Sequence, residues 1–257
     1  MSAFRSQEKL AGNIRPVIVN VCNFAKPAEG APALLSMDDA RTLFHEFGHG
    51  LHGLMSDVTY PSLAGTSVAR DFVELPSQLY EHWLGTREVL AEFARHHTTG
   101  APMPAELIEK LRAARTFNQG FATVEFLASA IVDIDFHAAT GAEAAADPMV
   151  REAATLARIG MPREIAMRHR SPHFSHVFSG DGYSAGYYSY LWSEVLDADA
   201  FAAFEETGDV FDAATAEKLA RFVYSAGGIR EEEAAYEAFR GRAPKVEGLL
   251  KKRGLVA

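Results

Sequence analysis

His45, Glu46 and His49 lie within the stretch RTLFHEFGHGLHGLM (residues 41–55), where polar side chains interrupt an apolar run. On a helix, histidines four apart project from one face about one turn from each other and can bind a single zinc ion. Glu46, beside the first ligand, then stands as the base for a water on that metal rather than as a ligand. Gly48 and Gly50 add to the signal, because glycine inside a helix costs up to about 1 kcal/mol against alanine and so implies a close-packed neighbour. His52, three residues on, reads as a core histidine bonded to a carbonyl. A catalytic zinc needs a third protein ligand and one open position. The candidate source is RDFVELPSQLYEHWL (residues 70–84), where Asp71, Glu74, Gln78 and Glu81 form one polar stripe on an otherwise apolar helix.

A second stretch with chemical potential is SHVFSGDGYSAGYYSYLWSEV (residues 175–195). Gly180, Gly182 and Gly186 predict a loop running into a helix, and Tyr183, Tyr187 and Tyr190 recur at helical spacing on one face. An aromatic core stripe is the ordinary meaning of that pattern. Buried phenols nevertheless need hydrogen-bond partners, and the glycines suggest backbone that meets a ligand closely. Tyrosine and histidine are suitable donors to the oxyanion of a tetrahedral intermediate.

The elements that must position these groups are mainly helical. Ser36 is placed to cap a helix beginning at Met37 or Asp38, with Asp38 and Asp39 favourable in its first turn. Apolar residues at three- and four-residue spacing predict further helices over 70–96, 104–140, 147–159, 184–206, 212–226 and 230–240. Residues 14–24, IRPVIVNVCNF, read as a strand, with residues 59–69 as the one plausible partner. The fold class is therefore mainly α, with a small β element near the N-terminus.

Composition narrows the partners. The chain has 257 residues, 48% of them hydrophobic, enough for a substantial core. A formal charge of −9 with scattered Lys and Arg argues against nucleic acid and anionic membrane surfaces. The single cysteine, Cys22, reads as a small buried core residue rather than a thiol nucleophile. No stretch has the length of a membrane span and the N-terminus has no apolar signal core, so a cytoplasmic location is expected.

HEFGHGLHGL followed by GTSVARDFVELPSQLYEHW resembles the zinc peptidases related to thimet oligopeptidase, and most of all the bacterial peptidyl-dipeptidases. The resemblance implies a multi-helix, zincin-like catalytic domain over residues 1–257. It implies zinc held by His45, His49 and Glu74, with Glu46 as base. It also implies that His176, Tyr183 and Tyr190 stabilise the transition state, and that Tyr187 and the backbone of Gly180 and Gly182 bind substrate. Asp71 and Glu81 are further candidates for orienting a ligand imidazole. The implied activity is hydrolysis of short peptides with release of C-terminal dipeptides; the alternatives are an internally cutting oligopeptidase and a zinc-binding but inactive structural module. Members of the family carry an additional N-terminal helical half, so this chain is expected to correspond to the catalytic part, with faces left exposed through which copies could self-associate.

Overall fold

The computed structural model describes residues 1–256. Strands β1 (Ser2–Arg5) and β2 (Val17–Val19) form an antiparallel pair, with Ser2 opposite Val19 and an irregularity between Ala3 and Arg5. Thus β2 falls inside the predicted strand region, but its partner is the N-terminal segment. Residues 59–69 contain instead a short 3₁₀ turn at Pro61–Leu63, as expected where a proline starts a tight turn. Cys22 follows β2 and is only half-buried, against the expectation of a core position.

Helix α1 (Met37–Leu54) begins where Ser36 predicts. Its capping box is reciprocal: Asp39 N–H donates to Ser36 Oγ and Ser36 N–H donates to Asp39 Oδ2, both at 3.0 Å. The predicted helix over 70–96 is three: α2 (Arg70–Val73), α3 (Leu75–Leu84) and α4 (Arg87–Phe93). Pro76 lies in the first turn of α3, where its missing N–H is harmless, and Glu74 sits at the junction of α2 and α3. Likewise 104–140 divides into α5 (Ala105–Ala114) and α6 (Gln119–Ala138), separated at Asn118, whose φ of 58° is left-handed. Asparagine tolerates that conformation better than most residues, and apolar periodicity gives no sign of it.

A short α7 (Gly141–Ala144) leads to α8 (Pro148–Arg158), capped by Asp147, whose carboxylate accepts from the Met149 and Val150 N–H groups. After α9 (Ser175–Phe178) comes α10 (Ser189–Glu205), the central helix, which starts later than residue 184. Then follow α11 (Ala213–Leu219), a π turn over Ala220–Tyr224, α12 (Glu232–Arg240) and α13 (Glu247–Lys252), the last not predicted. Phe72, Leu75, Leu79, Leu196, Phe204 and Tyr236 bury the junction of α2, α3, α10 and α12. A second cluster, with Val132, Phe174, Val177 and Tyr187, joins α6 to the segment before α10. Phe4, Val21, Phe93 and Phe117 stay exposed, and no helix among the described residues is long and apolar enough to cross a membrane.

Candidate metal centre

α1 crosses α3 at Gly48, where an added Cβ would lie 2.6 Å from both Pro76 O and Ser77 Cα. Only glycine lets the two backbones approach this closely. The approach brings His45 and His49 of α1 onto Glu74 at the start of α3. His45 Nε2 lies 3.3 Å and His49 Nε2 3.1 Å from Glu74 Oε2. Donors about 2.0–2.2 Å from a tetrahedral ion are themselves about 3.3 Å apart, so this spacing fits zinc. One donor atom from each of the three residues lies within 4.8 Å of the others.

The electrostatics fit a cation as well. Burial works to lower the His45 pKa, but hydrogen bonds and charge from Glu74 and Glu81 outweigh it and push the imidazole up to about 9. Glu74 is nearly inaccessible to solvent; burial opposes its charge, yet its bonds to the two imidazoles hold the carboxyl well below the usual range. The raised His45 imidazole places positive charge beside the buried carboxylate. A divalent ion meets the same need.

The surroundings orient the donors. Glu81 Oε1 accepts from His45 Nδ1 at 2.7 Å, which turns Nε2 toward Glu74. Ser77 Oγ donates to Glu74 Oε2 at 3.0 Å and Tyr183 OH reaches Oε1 at 3.4 Å. Asp71, expected to share the role of Glu81, does not: its carboxylate accepts from Tyr188 OH at 3.1 Å and its carbonyl from Ser193 Oγ at 2.7 Å, because the break before α3 turns it toward α10. Glu46, next to His45 on α1, is partly accessible. His52 is fully buried, but neither ring nitrogen has a partner, which overturns the expected carbonyl bond. Its ring meets Tyr224 edge-on at 6.3 Å.

His176, Tyr183 and Tyr190 gather opposite the imidazoles. His176 Nε2 lies 2.9 Å from Tyr190 OH, the His176 and Tyr183 rings are 4.4 Å apart, and Tyr183 stacks on Tyr190 at 5.7 Å. The predicted common helical face is not how they meet, since Tyr183 precedes α10 and reaches the group through a turn. Arg70, not anticipated from sequence, lies 4.5 Å over the Tyr183 ring. Burial, and then contact with Tyr183, pushes the Tyr190 phenol far up, while burial and the neighbouring His169 push His176 down. Both shifts favour the uncharged forms, a protonated Tyr190 phenol and a neutral His176 imidazole. Buried Glu152 accepts from Ser171 N–H at 2.8 Å and Oγ at 2.9 Å, fixing the segment that leads to His176.

A cavity of about 470 Å³ opens beside His176, Tyr187 and Tyr190. Tyr187 lines it but is itself buried, stacked on Phe126 at 5.1 Å, and so is more core than cleft. Gly180 and Gly182 are exposed, with nothing within 4 Å of an added Cβ, so none of the described residues crowds these two positions.

Comparison with known proteins agrees with this chemistry. The sequence model described as Peptidase family M3 matches residues 1–255. The chain is 44% identical to "Dipeptidyl carboxypeptidase" of Escherichia coli over 99% of its own length and 37% of that protein. It is 40% identical to "Oligopeptidase A" of the same organism, over 94% of this chain and 35% of the relative. "Thimet-like oligopeptidase" of Dictyostelium discoideum is 33% identical over 93% of the chain and 35% of its own length. The chain thus spans little more than a third of these relatives.

Proposed function

Since the chain belongs to peptidase family M3, we propose that residues 1–257 carry a zinc-dependent catalytic domain that hydrolyses short peptides and releases C-terminal dipeptides. The observation that carries this reading is the convergence of His45, His49 and Glu74, with Glu46 on the same helix turn. A zinc ion at these donors would supply Lewis-acid polarisation of the scissile carbonyl and acidify a water. Glu46 takes a proton from the attacking water and returns it to the departing amine. Tyr183 and Tyr190 donate to the developing oxyanion, and His176 orients Tyr190 through the bond between them. Glu81 keeps the His45 tautomer correct.

Release of dipeptides rather than internal cutting is favoured by the 44% identity to a dipeptidyl carboxypeptidase, against 40% to an oligopeptidase A. Peptides with free and with blocked C-termini separate the two: dipeptide products from the free form alone support our reading, and internal products from both support the oligopeptidase. The chemical test is Glu46→Gln. Turnover should fall at least about 10³-fold with bound zinc unchanged, and a chelator should abolish turnover of the parent chain. Near-parental turnover by Glu46→Gln overturns the mechanism. Zinc bound by a parent chain with no turnover would assign it instead to the structural-module alternative.

A further inference from the structure

Asp133 lies within α6, completely buried, and no step above uses it. Its carboxylate faces the turn that carries Tyr183. Oδ1 accepts from Ala185 N–H at 3.0 Å, and Oδ2 accepts from Tyr187 N–H at 2.9 Å. His137 Nδ1, one helical turn along, lies 2.9 Å from the Asp133 carbonyl oxygen and 3.3 Å from Ala185 N–H, and its ring stacks on Phe178 at 5.3 Å. Every oxygen of the buried carboxylate is thereby satisfied, and two backbone amides of the turn are held from beneath.

The turn needs that hold. Ala185 has φ 54°, a left-handed conformation that residues with a Cβ avoid, and Gly186 N–H closes back on Tyr183 O at 2.9 Å. Because α10 starts only at Ser189, no helical hydrogen bonding supports Tyr183. Yet its hydroxyl must stay near Glu74 and its ring against His176 and Tyr190.

We propose that Asp133 is the positioning residue for the oxyanion donors: it imposes the left-handed turn at Ala185 and so sets Tyr183 against the metal centre without touching substrate. This rests on the peptidase reading for its kinetic consequence but not for its structural one.

In the full chain, Asp133→Asn should lower kcat about 10- to 100-fold with KM within about twofold and zinc content unchanged. The same substitution in a Tyr183→Phe chain should cost less than about threefold, because the donor it serves is already gone. Ala185→Gly, which adopts the left-handed conformation unaided, should restore part of the kcat of Asp133→Asn. Independently of turnover, the Ala185 and Tyr187 amides should lose hydrogen-exchange protection in Asp133→Asn while α1 and α3 keep theirs. If Asp133→Asn does not fold, exposed Ala185→Val strains the same turn and should give the same kcat-selective loss. Unchanged kcat in the variant tested, or losses that multiply fully with Tyr183→Phe, would overturn the proposal. A parent chain that hydrolyses nothing, with exchange protection still lost in the variant, would overturn the peptidase reading and leave the clamp standing.

Discussion

His52 and Glu81 illustrate how differently two polar groups near one helix can act. Burial without a hydrogen-bond partner holds the His52 pKa down at about 3, and the charge of His49 acts in the same direction. In the unfolded chain the value returns to near 6.5. Above pH 6.5 both states are neutral there and no stability depends on the group. Below it the unfolded chain takes up a proton that the folded chain refuses, so stability falls by about 1.4 kcal/mol per pH unit down to about pH 3. His82, whose pKa burial also lowers, adds to acid sensitivity with the same sign. Urea midpoints at pH 7, 6 and 5 should therefore decline less steeply for His52→Leu than for the parent; parallel curves would refute the assignment. Glu81 acts on function instead. Glu81→Gln should weaken zinc binding about 10- to 100-fold in chelator competition while unfolding midpoints change little.

At the level of elements, the site depends on how closely α1 and α3 approach. A methyl group at position 48 would enter the Pro76–Ser77 backbone, which no side-chain rotation relieves. Gly48→Ala should destabilise the chain by about 1–3 kcal/mol and lower zinc affinity, because separating the helices parts His49 from Glu74. Gly182→Ala, with open space around it, should leave the unfolding midpoint unchanged. The contrast is measurable by denaturant titration and zinc competition on the two variants. Glycines at 48 and 182 look alike in sequence. Only the first meets backbone in the fold.

Across the whole molecule, α10 joins the site to the body of the protein. Near its start stands Tyr190; about 14 Å along its axis is Asp199. Asp199 is buried and accepts from Tyr236 OH at 2.7 Å and from both terminal nitrogens of Arg242, at 3.0 and 2.7 Å, with Arg240 also 3.4 Å away. Asp199→Ala removes the carboxylate partner of Arg242 and Tyr236, while Arg240 keeps Glu206, and should cost about 2–4 kcal/mol, lowering Tm by roughly 4–16 °C in calorimetry. Zinc affinity at temperatures where the variant remains folded should be unaffected, since none of these groups reaches the metal centre.

Much of α1 was legible in sequence: the Ser36 cap, the periodicity and the pairing of His45 with His49 are properties of one helix and depend on residues within a few positions of each other. The partner of β2, the breaks at Glu74 and Asn118 and the late start of α10 were not, because contacts between distant segments override local propensity there. So the sequence by itself determined two imidazoles and a carboxylate on one helix turn, together with a mainly helical class. Tertiary structure alone decided that Glu74 meets those imidazoles through the contact at Gly48, and that Tyr183 reaches them through a turn held by Asp133. Helical spacing is a local consequence of backbone hydrogen bonding, whereas the approach of two backbones and the hold of a buried carboxylate on a distant turn exist only once the chain has packed.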